Sequence, residues 1–175
     1  LLYMYRLTDA SGNVTQLLPD PRSRYQPEDV HGPSEVLKPD AYQWQAKNWK
    51  PLTDRRQMNL YEMHMGTFTQ KGTFDSAIAK LDELVSMGFN TIELMPVKEF
   101  AGKRNWGYDM VGFFATENAY GKPEDFKRFV DACHQRGLNL ILDVVYNHVG
   151  PEGNYFKQFD SAFLGSGGPW GEQFN

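Results

Sequence analysis

Between residues 59 and 148 the chain passes from strand pattern to helix pattern twice and then ends on a third strand, and no other feature restricts its fold as much. NLYEMHMG (59–66) alternates, with Tyr61, Met63 and Met65 on one side and Glu62 and His64 on the other. TFDSAIAKLDELVSMG (73–88) puts Phe74, Ile78, Leu81 and Val85 on one helical face. Thr73 suits its N-cap and Gly88 its end. NTIELMP (90–96) is the second strand. PEDFKRFVDACHQRG (123–137) is the second helix, with Pro123 in its first turn, two acids behind it and Gly137 as terminator. Lys122 is a poor cap for it. LNLILDVVYNH (138–148) is the third strand.

Helices between strands impose parallel pairing with right-handed crossovers. An open doubly wound sheet and a closed barrel both satisfy that order. No glycine-rich phosphate fingerprint follows any of the strands, which counts against a dinucleotide-binding sheet. In either architecture the site forms at the carboxyl ends of the strands. The informative segments are therefore those after Met65, Pro96 and Tyr146. Val97 to Gly121 reads as one long loop.

The first quarter has a different texture. LYMYRL (2–7) and NVTQLL (13–18) are short strand runs joined by the turn-rich TDASGN, a β-hairpin pattern. Two strands are marginal alone, so they are expected to complete a larger sheet. Residues 19 to 40 hold five prolines, which excludes a helix there. AYQWQAKNWK (41–50) adds two tryptophans without periodicity. The chain is read as an internal piece of a longer protein, with no signal-peptide pattern at its start.

Composition excludes several classes. A formal net charge of -4 gives no nucleic-acid footprint, and no apolar run is long enough to span a membrane. The single cysteine, Cys133, cannot form an internal disulfide; a reducing, cytoplasmic location fits. Cys133 lies among helix residues and reads as core. The four histidines, His31, His64, His134 and His148, lack zinc-site spacing. No metal or cofactor is expected.

Asn147, His148 and Tyr108 stand out for chemistry, together with a carboxylate that needs explaining. Alternation puts Ile141, Asp143 and Val145 on one face of the third strand. An unpaired buried carboxylate there would neutralise or cost several kcal/mol, so Asp143 needs a cation or several donors. A structural ion pair and the orientation of a catalytic group both fit it. Asn147 and His148 stand where the strand stops, and His148 suits a hydrogen bond to a sugar hydroxyl. NWGYDMVGFF (105–114) supplies four aromatics and two glycines within the long loop. Tyr108 reads as a stacking platform for a pyranose, whereas Trp106 and Phe113 read better as loop packing. Glu62, His64 and Glu93 share a face in mid-strand and suit an interior polar network.

GFNTIELMPV, NWGYD and DVVYNH together resemble the α-amylase superfamily of glycoside hydrolases. The resemblance implies an α/β fold: the first three β/α units of a TIM (β/α)8 barrel, preceded by the tail of an amino-terminal β-sandwich domain. Residues 1–52 would be sandwich and linker, and residues 53–175 the start of the barrel. Tyr108 would stack on the glucose at the cleavage point and His148 would bond one of its hydroxyls, with Trp106, Asp109 and Asn147 as further substrate contacts. Asp143 would pair with an arginine near the nucleophile. Asn147 also matches a calcium-binding position of many amylases, but no metal is assigned. Finer matches, including HVGPEGNYF and GPWGEQFN, resemble the branch that releases trehalose from maltooligosyl-trehalose. The implied mechanism is retaining, with its carboxylates after strands four and five, beyond this sequence. The partners implied are an α-glucan oligosaccharide and the rest of the barrel. A branching or debranching enzyme, or a non-catalytic glucan-binding module, are the alternatives. The segment alone is expected to be inactive and poorly stable.

Overall fold

The computed structural model describes residues 1–38, 40–165 and 167–175; Pro39, the last of the five prolines, lies outside them. In chain order the strands are β1 (Leu2–Tyr3), β2 (Tyr5–Thr8), β3 (Val14–Leu18), β4 (Ser34–Glu35), β5 (Leu60–Met63), β6 (Thr91–Leu94), β7 (Lys98–Phe100), β8 (Met110–Thr116) and β9 (Asn139–Leu142). The α-helices are α1 (Met65–Phe68), α2 (Phe74–Ile78), α3 (Leu81–Ser86), α4 (Pro123–Gln135) and α5 (Phe156–Phe159). The chain forms two compact units, each discontinuous in sequence. One holds residues 1–37, 98–118 and 145–175; the other holds 38–97 and 119–144.

The second unit carries the repeating pattern. β5, β6 and β9 form a parallel sheet in that order, with Glu62 beside Glu93 and Glu93 beside Ile141. Met63, Ile92 and Leu94 on one face are buried, along with Phe74, Leu81, Phe129 and Leu138 from the helices and their ends. The opposite face carries Glu62, Glu93 and Asp143, as the alternation required. Asp143 is half-buried and continues the ladder, its N–H donating to Leu94 O at 2.9 Å.

Several local expectations are corrected. The first helix is split: α2 ends at Ile78 and α3 begins at Leu81, with Lys80 N–H bonding back three residues to Ala77 O. Its buried face is Phe74, Ala77, Leu81 and Leu84, while Val85 is 40% exposed. Met65 is buried but belongs to α1, not to β5, because His64 caps a helical turn. Thr73 and Gly88 do start and stop the helical segment. Lys122 works as a cap through its backbone, whose N–H donates to Asp125 Oδ2 at 2.8 Å. β9 stops at Leu142, six residues short of the pattern read from sequence. The supposed loop from Val97 to Gly121 contains the antiparallel pair β7–β8.

The linker that crosses α4 is held by one acid. Asp131 accepts from Tyr42 OH (3.0 Å), Gln45 N (2.9 Å) and Ala46 N (2.8 Å). Burial pushes its carboxyl up, but these donors more than offset that and leave it below the usual range. Trp49 stacks on His134 at 3.7 Å. Cys133 is fully buried and its thiol is pushed up to about 12, so it is core as expected and no nucleophile.

In the first unit, β2 and β3 form the expected hairpin, and β1 pairs with β4. The proline-rich stretch contains no helix among its described residues. Phe113 packs edge-on against Phe156 and Phe174 and lies 6.4 Å from Tyr146, as its packing role required. These rings line an apolar cleft of about 710 Å³ together with Phe114 and Phe163.

Candidate active site

The NWGYD loop leaves β7 and re-enters β8. Asn105 organises it: its side-chain Oδ1 accepts from Gly107 N at 2.8 Å, and its Nδ2 donates to Asp109 Oδ2 at 3.0 Å. Gly107 has φ of 96°, a left-handed conformation that favours glycine. The turn leaves Tyr108 38% exposed, with enough ring surface open to meet a ligand. Trp106 is 71% exposed. Asp109 is also exposed.

The segment after β9 reaches the same place. Gly150 N–H donates to Met110 O at 2.9 Å, and a Cβ at Gly150 would lie 2.1 Å from Asp109 O. Only glycine allows that approach. His148 and Tyr108 are each two residues from this contact, so one backbone junction brings their segments together. On its other side the segment is held by the carboxyl-terminal stretch: Val149 N–H donates to Glu172 O at 3.0 Å. A Cβ at Gly171 would meet Val149 O at 2.9 Å.

His148 is nearly buried, and its Nδ1 lies 3.2 Å from Asn147 Oδ1. That oxygen can only accept, so this contact suits the tautomer protonated at Nδ1. The other ring nitrogen, Nε2, is then the one that can exchange a hydrogen bond with a hydroxyl. Asn147 itself is exposed and serves to orient the histidine. Asp143 belongs to the other unit and is described with its sheet.

Tyr108 lies in a loop as read from sequence, whereas His148, read as standing where the strand stops, lies six residues beyond the end of β9. Asn105, Gly107 and Gly150, which place them, were not read from sequence. Asn105 two residues before a glycine was a turn signal that could have been used. Gly150 had none, because its constraint comes from a backbone forty residues away.

The family model "Alpha amylase, catalytic domain" matches residues 16–165. A malto-oligosyltrehalose trehalohydrolase from Saccharolobus solfataricus is 47% identical over 99% of this chain and 30% of its own length. A 1,4-α-glucan branching enzyme from Pseudoalteromonas atlantica is 36% identical over 93% of this chain and 24% of its own. A crystal structure of a Salmonella typhimurium protein, provisionally assigned as an α-amylase, superimposes with a TM-score of 0.89 at 47% identity, covering 98% of this chain and 29% of that one. The chain thus spans under a third of the relatives it matches. Matched through most of its length, it belongs to the α-amylase catalytic-domain family, whose fold is a TIM barrel.

Proposed function

We propose that this segment opens the catalytic barrel of a retaining glycoside hydrolase that cleaves the α-1,4 bond beside the terminal trehalose of maltooligosyl-trehalose. Trehalose is the product released. β5, β6 and β9 would be the first three barrel strands, and the β2–β3 hairpin the tail of a β-sandwich domain. The observation that carries the sugar-binding part is the junction of Gly150 with Asp109 and Met110, which joins the segments of Tyr108 and His148. The choice of substrate is supported by the trehalohydrolase relative at 47% identity.

In this reading Tyr108 stacks on one glucosyl ring through its apolar face. His148, oriented by Asn147, exchanges a hydrogen bond with a hydroxyl of the same ring. Trp106 and Asp109 sit beside Tyr108 as further substrate contacts. Asp143 pairs with an arginine near the nucleophile. The two reacting carboxylates, about 5–5.5 Å apart in a retaining enzyme, come from polypeptide outside this segment. The complete enzyme acts in the cytoplasm.

Incubating the complete protein with maltooligosyl-trehalose and separating the products tests the reading. Free trehalose and a shortened glucan are expected. The 36% identical branching enzyme motivates the second reading; new branches without free trehalose would establish that one instead.

A further inference from the structure

Two carboxyl groups in the hairpin below the NWGYD loop have no solvent exposure at all: Glu99 in β7 and Glu117 just after β8 are both at 0%. Their hydrogen bonds cross. Glu99 accepts from Asn118 N at 2.9 Å and from Asn118 Nδ2 at 2.6 Å. Glu117 accepts from Phe100 N at 3.1 Å. Each carboxyl therefore grips the opposite side of the hairpin, one residue beyond the other carboxyl.

The ladder needs that help. Lys98 pairs with Thr116, Glu99 with Gly112 and Phe100 with Met110, with register shifts at both steps. Three residues of β7 thus face seven of β8, and a bulged ladder leaves backbone groups without regular partners. Gly112 makes room for the arrangement, since a Cβ there would lie 2.7 Å from Glu99 Cβ. Phe100 and Met110, the last ladder pair, bound the loop that carries Tyr108. Met110 O also accepts from Gly150 N, so the same pair anchors the segment of His148.

We propose that Glu99 and Glu117 are positioning residues for the sugar site, whose crossed hydrogen bonds lock β7 to β8 and so hold the Tyr108 loop in its binding geometry. This rests on the reading of Tyr108 as the stacking residue. Two carboxylates packed together in an apolar interior do not both ionise readily. Burial first, and then the charge of Glu117, push Glu99 up to about 9. Asp29, in the loop that also accepts from Gly102 N, adds to the rise, and the N–H groups of Asn118 oppose it. Lys98, its neighbour on β7, is itself disfavoured as a cation by burial. At neutral pH Glu99 therefore keeps its proton, and the lock opens when that proton leaves.

The test measures kcat and KM of the complete enzyme from pH 5 to 10 for wild type, Glu99→Gln, Glu99→Leu, Glu117→Gln and Tyr108→Ala. Wild type is expected to show KM rising above pH 9 with a smaller change in kcat. Glu99→Leu, which strands the Asn118 donors, raises KM at least tenfold at pH 7. Glu99→Gln, a permanent mimic of the neutral acid once the Asn118 amide turns over, recovers most of that loss and has a flat alkaline KM. Glu117→Gln removes the charge that helps retain the proton, so the rise moves to lower pH. An alkaline rise in Glu99→Gln equal to that of wild type, or an unchanged KM in Glu99→Leu, overturns the proposal while leaving the site intact if Tyr108→Ala raises KM. An unchanged KM in Tyr108→Ala overturns the sugar-site reading and this inference with it.

Discussion

Asn105 and Asn147 do one job twice: each uses a side-chain amide to set the residue that would meet the sugar. A stacked ring contributes about 2–3 kcal/mol of apolar contact. Tyr108→Ala should therefore lower kcat/KM of the complete enzyme by roughly 30- to 150-fold, and Tyr108→Phe by far less; equal losses would show that the hydroxyl, not the ring face, carries the contact. Gly150→Ala forces a methyl against Asp109 O, at 2.1 Å before relaxation. Overpacking of this kind costs about 1–3 kcal/mol, so its melting temperature should fall and KM should rise together. Asp131 gives a purely structural counterpart. Its carboxyl is lower in the fold than its ordinary 3.8, so its contribution is present above that value and is lost in acid. Asp131→Asn should cost about 1–3 kcal/mol at neutral pH, with the gap to wild type closing below pH 4. Tyr108 and His148 could be singled out as candidates from sequence, one by its aromatic-rich loop and the other by its place after an apolar strand run, although β9 stops six residues before His148. Asp131 could not, because its partners at Tyr42, Gln45 and Ala46 lie over eighty residues away.

At the scale of elements, periodicity located every member of the parallel sheet and both helical crossovers, but not their ends. β9 stops early and α2–α3 break in the middle, because local propensity does not record where tertiary packing takes over. The β7–β8 hairpin was missed for a clearer reason. Its turn is a nine-residue loop, the ladder's extra residues all lie on β8, and no two-residue hairpin signal marks it. The buried pair within it makes a prediction about stability. Glu99 holds its proton to about 9 in the fold against 4.5 ordinarily. Its contribution is fully present below pH 4.5, declines as pH rises, and is gone above 9. Chemical unfolding at fixed pH values should show that decline in wild type, at up to about 1.4 kcal/mol per pH unit from this one proton. The slope should be shallower in Glu99→Gln. Parallel slopes in the two proteins would mean that Glu99 is ionised across the neutral range.

At the scale of the molecule, both units present apolar surface. β9 is an edge of its sheet among the described residues, with Leu142 38% and Val144 42% exposed, and Tyr146 and Phe114 are 63% and 58% exposed in the other unit. Exposed parallel edges and apolar patches of this kind invite further strands or association. The 175-residue segment produced alone should therefore associate, melt without cooperativity and release no trehalose; a monodisperse monomer with a sharp transition would contradict the first two expectations. The parallel α/β class was legible because strand and helix periods survive in a partial repeat; the closed barrel was implied only by the resemblance. The reacting carboxylates were not legible, because the resemblance puts them after strands four and five. The most direct measurement is a crystal structure of the complete protein, its nucleophile neutralised, soaked with maltooligosyl-trehalose. One glucosyl unit should lie with its face on the Tyr108 ring and a hydroxyl within 3.2 Å of His148 Nε2, a contact length set by ordinary hydrogen-bond geometry at roughly 2.7–3.2 Å. A sugar bound elsewhere, or the two side chains touching different sugar units, would contradict it.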